Sequence, residues 1–509
     1  MRKLKKSIIL TIVLLVVIQF IFCQKQSQIS DIKIVDTILN DQGSFFYLNN
    51  QNYPELNETL PIGIFDSGTG GLTVLDVIVN FDEYNNDTYS VKDCGDGVKD
   101  FQEECFIYHG DQANMPYGVY SKEGKTDLLR EHIIKDVQFL LSNKYYPSAK
   151  TSEYKTDKSP VKAIVIACNT ATAYGKEDIK NFIKKAGLDI KVIGVIGAGV
   201  RGALSIFQQD EDGSVAIMAT AGTVASNGYV KTLNNQLAEL NYTGDIFVFQ
   251  QAGIGLAGAI DGSPEYISAN AIAPRDEYKG PSENNPETKI DLSLLQRYNF
   301  EWENNKILYD GDSENPWNLQ INSVENYINY HLIALLEKIR KTPEAKPLKA
   351  IILGCTHYPF YTDTFQHKLA KLYDYQENGK HVYRPFMAEQ IVFVDPAINT
   401  AKELYQYLSE TKLFNESDLC KSEFYISVPN KQNSGIELDS FGNFTYDYKY
   451  GRKAGQTAQY VKRVPISREN ISDGVIERLS VKVPLIFEMM KKFNWDNSKT
   501  DFLKEEEKL

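Results

Sequence analysis

Val161-Lys-Ala-Ile-Val-Ile-Ala-Cys168-Asn-Thr170 and Leu348-Lys-Ala-Ile-Ile-Leu-Gly-Cys355-Thr-His357 align without a gap. Four of the ten positions are identical, and four more exchange one small or branched apolar residue for another. Each stretch is an apolar run of buried-strand length ending in Cys, followed by two hydrogen-bonding residues and a helix start. A repeated strand-Cys-helix unit predicts two similar halves that face each other across a cleft, each contributing one thiol.

The rest of the chain keeps the same alternation. Further strand-like runs lie at 62–65, 105–109, 192–196, 215–218, 246–249, 351–353 and 391–394, with helical patterns between them such as 126–141. Strands alternating with helices indicate parallel-sheet α/β architecture. Two regions interrupt it. Residues 263–320, rich in Asn, Glu, Pro and Ser, and residues 430–470, rich in Tyr, Gly and Lys, read as long surface insertions. Residues 24–61 read as a polar, exposed lead-in. The 509 residues suit two to four domains. A net charge of −12 argues against a surface that tracks phosphates, so nucleic acid is excluded as the main partner.

The N-terminus carries Arg2, Lys3, Lys5 and Lys6, then an uninterrupted run from Ser7 to Cys23, then Gln24, Lys25 and Gln26. A basic segment, an apolar core and an abrupt polar stop describe a secretory signal peptide over 1–23. The expected destination is the secretory pathway or the exterior, with a membrane-anchored form only if the segment stays uncleaved. Six N-x-S/T sequons fit that route but are no more than the composition makes by chance. Cys94 and Cys105 bracket an acidic, glycine-containing stretch and are candidates for a local disulfide. That stretch lacks the alternating acidic ligands of a calcium loop. Cys420 reads as an inert thiol, whereas Cys168 and Cys355 must stay reduced to act.

Five blocks in order resemble the glutamate racemases of the cofactor-independent, two-cysteine aspartate/glutamate racemase group. They are Gly63-Ile-Phe-Asp66-Ser67-Gly68-Thr-Gly-Gly71, Gly110-Asp111 with Pro116-Tyr117-Gly118, Ala167-Cys168-Asn169-Thr170-Ala171, Thr220-Ala-Gly-Thr223 with Ser226, and Leu353-Gly354-Cys355-Thr356-His357-Tyr358-Pro359. The resemblance covers about 62–428 without the insertions, and the last helix near 485–493. It implies two doubly wound parallel-sheet domains related by pseudo-symmetry, with the active site in the cleft between them. The first would be 62–190 completed by 395–509, the second 191–394.

By that resemblance Cys168 and Cys355 would be the catalytic acid/base thiols, aided by Asp66, His357 and Asp261. Asp66, Ser67, Tyr117, Gly118, Asn169, Thr170, Thr356 and His357 would hold the amino acid. No cofactor and no metal is implied, and a homodimer is allowed.

The chemistry accounts for these residue types. Inverting an amino acid without pyridoxal phosphate requires a thiolate on one face of Cα to take a proton and a thiol on the other to return one. A free Cys, with a pKa near 8.5, is only a few per cent thiolate at neutral pH, so its surroundings must help. A helix N-terminus after each cysteine would do so. Asn, Thr and Ser groups with loop N–H groups can clamp carboxylates without added charge.

Competing readings are weaker. A lone Cys ending a strand is usually a small core residue, but two in matched repeats, each followed by polar residues, are not. Gly68-Thr-Gly-Gly71 alone fits a phosphate loop, yet the lysine of that motif is missing. Cys168, Cys355 and His357 lack a clear fourth ligand for zinc. His109 reads as packing.

Two departures from the family pattern stand out. Gln251-Ala-Gly-Ile-Gly-Leu-Ala-Gly-Ala-Ile-Asp261 has Asp where the family has Glu, one methylene shorter, and Ile193-Gly-Val-Ile-Gly197-Ala198 loses a Glu-Pro pair near the expected cleft. They keep two alternatives in view: aspartate as the substrate, and a secreted amino-acid-binding protein whose catalysis is altered.

Overall fold

The computed structural model describes residues 32–86, 88, 95–312, 316–415 and 421–509. The signal segment, Cys94 and Cys420 lie outside the described residues. Strands in chain order are β1 (Ile62–Asp66), β2 (Phe106–Gly110), β3 (Ala163–Ile166), β4 (Lys191–Gly194), β5 (Gly213–Ala219), β6 (Ile246–Ala252), β7 (Ile307–Gly311), β8 (Pro316–Ile321), β9 (Leu348–Gly354), β10 (Gln376–Glu377), β11 (Lys380–His381), β12 (Met387–Val394), β13 (Glu423–Pro429) and β14 (Val461–Pro465).

One sheet has the order β14-β13-β2-β1-β3-β4, parallel except for β14. A second has the order β12-β9-β5-β6 and is parallel throughout. Counted within its own half, each sheet contains the same run, second-first-third-fourth: β2-β1-β3-β4 and β6-β5-β9-β12. The internal repeat seen around the two cysteines therefore extends to the whole topology. In both halves the chain reverses its direction of winding beside the first strand. The carboxyl ends of β1 and β3, and of β5 and β9, flank such switch points, where open α/β sheets place their ligands. Cys168 follows β3, and Cys355 follows β9.

β1, β2, β3 and β5 are buried along their whole length. Helices cover both faces of such sheets, so these strands read as continuous apolar runs. β4 pairs with β3, so the first sheet reaches Gly194 rather than stopping at 190. The expected strand at 192–196 ends there, and the helix Val195–Leu204 begins at the next residue. Its counterpart after β12 is the helix Pro396–Thr411. These two equivalent helices pack on each other: a Cβ added at Gly199 would lie 3.0 Å from Pro396, and one at Gly202 would overlap Asn399. Arg201 and Glu403 pair across the same contact. Gly197 and Ala198 are buried in the helix Val195–Leu204, and neither lines the cleft that holds Cys168 and Cys355.

Three expectations about the periphery are corrected. The lead-in is not simply exposed, because the helix Lys33–Asn40 buries Ile34 and Ile38, and Phe46 and Leu48 are buried after it. Two turns of i, i+4 spacing were too short to register as a pattern. Residues 263–320 do not merely decorate the surface, since Ile290, Tyr298, Phe300, Ile307 and Leu319 join the apolar core of the second domain and β7 pairs with β8. Residues 430–470 contribute β14 to the first sheet and cover the loop before Tyr117: Lys449 Nζ donates to the Met115 carbonyl (2.7 Å) and Arg452 Nη2 to Asn114 Oδ1 (2.9 Å).

Cys105 is disulfide-bonded, whereas Cys168 and Cys355 are free. Among the described residues no helix is long and apolar enough to cross a membrane.

Candidate active site

Cys168 is the N-cap of the helix Asn169–Ala186, and its Sγ accepts the Ala171 N–H at 3.4 Å. The helix N-terminus favours negative charge on that sulfur, but other forces win. Burial, and then the charge of Asp66, push the thiol up to about 12. Asp66, at the end of β1, is buried and itself raised by that burial, although its Oδ2 accepts N–H groups from Gly71 (2.9 Å) and Gly68 (3.3 Å). Gly71 has no alternative here, because a Cβ on it would meet the Asp66 Cβ at 2.5 Å. The Cys168 thiol points to Ser67 Oγ at 3.9 Å. This side of the site rests as a neutral thiol, a proton donor with a carboxyl group beside it.

Cys355 is assisted differently. The expected helix start after it is absent: a short 3-10 turn spans Tyr358–Tyr361, and the α-helix begins only at Thr362. Help comes instead from His357, whose Nδ1 lies 3.5 Å from the Cys355 Sγ and whose Nε2 lies 3.2 Å from Asp261 Oδ2. Burial alone would lower His357, but Asp261 and Cys355 outweigh it and raise the ring to about 10. Burial would raise Asp261; its hydrogen bond and charge interaction with His357, with Arg478 adding to them, hold it low. Despite its shorter side chain, Asp261 reaches its place. Cys355, His357 and Asp261 form a line in which the carboxylate keeps the ring protonated and the ring in turn places a positive charge against the sulfur.

Both thiols line one cleft of about 680 Å³. Of the residues named from the sequence, Asp66, Ser67, Asn169, Thr170, Asp261, Thr356 and His357 line it too. The Asn169 amide is committed to joining the halves: Nδ2 donates to the Gly354 carbonyl (3.2 Å), and Oδ1 accepts the Tyr229 hydroxyl (2.9 Å). Tyr117 and Gly118 are not in the cleft. Tyr117 is buried, and its hydroxyl is shared between Asp111 Oδ2 (2.7 Å) and Asp136 Oδ2 (2.6 Å), donating to one carboxyl group at a time. A Cβ on Gly118 would face Gly222 of the other half at 3.7 Å.

Several lining residues had not been assigned to the site: Gln112, Thr220, Thr223, Ser472 and Arg478 among them. Thr220 and Thr223 were visible as a motif, and Thr220 follows β5 just as Ser67 follows β1. Arg478 gave no signal, being an ordinary arginine more than a hundred residues beyond Cys355.

Among the described residues, one group has metal-ligating spacing: His109, Asp111 and Asp136, all buried and away from the cleft. The Tyr117 hydroxyl is already shared between the two carboxyl groups there, and Arg463 Nη2 donates to Asp136 at 3.4 Å, so a cation is in place. His109 packs in that network.

Fold and site together define a class: a two-domain α/β protein that presents one free thiol from each pseudo-equivalent half to a common cleft. No family model matches the chain. Its sequence is similar to the glutamate racemase of Oceanobacillus iheyensis, 25% identical over 358 residues, 70% of this chain and 82% of that protein. The glutamate racemase of Clostridium novyi is 24% identical over 359 residues, 70% of this chain and 87% of its own. Among solved structures, a glutamate racemase isoform from Bacillus anthracis aligns at 21% identity with a TM-score of 0.41, covering 72% of this chain and 88% of that one. The chain is a homologue of glutamate racemases, in agreement with the resemblance carried by its five motif blocks.

Proposed function

We propose that this chain inverts an acidic amino acid at Cα, glutamate first and aspartate second, with Cys168 and Cys355 as the two acid/base groups and no cofactor. The observation that carries the reading is the placement of two free, pseudo-equivalent thiols on one cleft. The homologues, named as glutamate racemases, support the reaction class.

In one direction Cys355 acts as a thiolate paired with the protonated His357 ring, and that thiolate removes the Cα proton. The Cys168 thiol then returns a proton to the opposite face and becomes a thiolate beside Asp66. That product state is the starting state for the other enantiomer. Positioned acid–base groups of this kind each contribute roughly 10²–10⁴-fold.

A secretory destination is part of the proposal. It is supported by the basic and apolar N-terminal segment and by a disulfide at Cys105.

The test is to incubate the purified chain with D- or L-glutamate, and separately with D- or L-aspartate, without pyridoxal phosphate, and follow the optical signal. Either enantiomer of the true substrate decays to an equal mixture. A flat signal for all four amino acids overturns the proposal.

A further inference from the structure

We infer that Arg478 is the residue that recognises the side-chain carboxylate of the substrate, and thereby the one that makes the cleft select acidic amino acids. The inference rests on the racemase reading and goes beyond it by naming the source of substrate choice.

Arg478 lies on the helix Asp473–Lys482, capped by Ser472, whose Oγ accepts the Val475 N–H at 3.4 Å. Ser472, Val475 and Arg478 are three apart in sequence and share one face of that helix. All three line the cleft, so the helix lays one stripe along it. Among the described lining residues, Arg478 is the only lysine or arginine.

Charge gives it a task. His357 is engaged by Asp261 on one side and by the Cys355 sulfur on the other, which leaves Arg478 as the cation placed to meet a further anion. An acidic amino acid brings two carboxylates and one ammonium, one carboxylate more than its ammonium offsets.

The guanidinium is held but not saturated. Nη2 donates to Thr69 Oγ1 at 3.3 Å, while Nη1 stands 3.9 Å from Asp261 Oδ1, an ion pair longer than a hydrogen bond. With its side chain 39% exposed, it can offer a fork to an incoming carboxylate.

The order of contacts assigns the outer carboxylate to Arg478. The order outward from the sulfur is Cys355, His357, Asp261, Arg478. Two side chains separate the guanidinium from the sulfur that must touch the Cα proton. A group bonded directly to Cα stays near the thiols; the side-chain carboxylate, two or three bonds from Cα, is the one assigned to Arg478.

The test compares the wild-type chain with Arg478→Gln and Arg478→Lys, using glutamate and its neutral isostere glutamine. Arg478→Gln is expected to raise KM for glutamate by about 10- to 100-fold with kcat changed less than about threefold. In calorimetry it should weaken glutamate binding by a similar factor and leave glutamine binding unchanged, and Arg478→Lys should recover part of the loss. Equal effects on glutamate and glutamine, or a lowered kcat with a shifted alkaline limb of the pH profile, would overturn the assignment and make Arg478 a support for Asp261. If the wild type turns over neither glutamate nor aspartate, the racemase reading falls, while the binding comparison still decides the role of Arg478.

Discussion

Asp261 lies 3.2 Å from His357 Nε2, on the opposite side of the ring from the Cys355 sulfur. This relationship answers the doubt raised by the missing methylene of the usual glutamate. The short helix Leu256–Ile260 ends on Asp261 and brings the carboxylate close enough for the shorter side chain to suffice.

Asp261→Asn should lower kcat about 10- to 100-fold with KM little changed, because the charge that holds the His357 proton is lost while the ring stays in place. The kcat–pH profile checks this: its alkaline limb moves to lower pH in Asp261→Asn and stays near the wild-type position in Asp261→Glu.

His357 also links stability to pH. Its ordinary value of 6.5 rises to about 10 in the folded chain. A raised value means the folded state holds a proton that the unfolded state has released. The stabilisation is therefore complete below about pH 6.5 and is lost progressively as pH climbs to about 10. Melting temperatures across pH 6 to 10 should fall more steeply for the wild type than for His357→Asn.

Tyr117 separates structure from function. Its hydroxyl is shared between two buried carboxyl groups and does not reach the cleft. Tyr117→Phe should cost about 2–3 kcal/mol in denaturant unfolding while leaving KM for the amino acid within about twofold. A large rise in KM with unchanged stability would return Tyr117 to the binding site.

Much of this arrangement was legible in the chain. The two Cys-ending runs announced the repeat because buried parallel strands are continuous apolar segments, and the polar residues after each cysteine marked the mouth of a cleft. Asp66, Ser67, Thr170, Thr356 and His357 were legible for the same reason: they follow strand ends. What escaped depends on distant chain. Tyr117 sits within a motif, yet residues 430–470 fold over its loop and bury it. β13 and β14 extend an existing sheet, and nothing local distinguishes 461–465 from its surroundings. Arg478 reaches the cleft only through the packing of a helix at the far end of the sequence. The boundary at 190 slipped because β4 is short and its last residue, Gly194, leads directly into a helix.

The central claim is that each thiol serves one face of Cα, and the most direct measurement is deuterium exchange in D₂O with single-cysteine variants. Wild-type protein should convert each enantiomer of glutamate into a product carrying deuterium at Cα. Cys168→Ser and Cys355→Ser should both lose racemisation, by at least about 10²-fold. Each should still exchange the Cα proton of one enantiomer, a different one in each variant, without inversion. Racemisation that survives either substitution, or exchange of the same enantiomer by both variants, would contradict the two-thiol account.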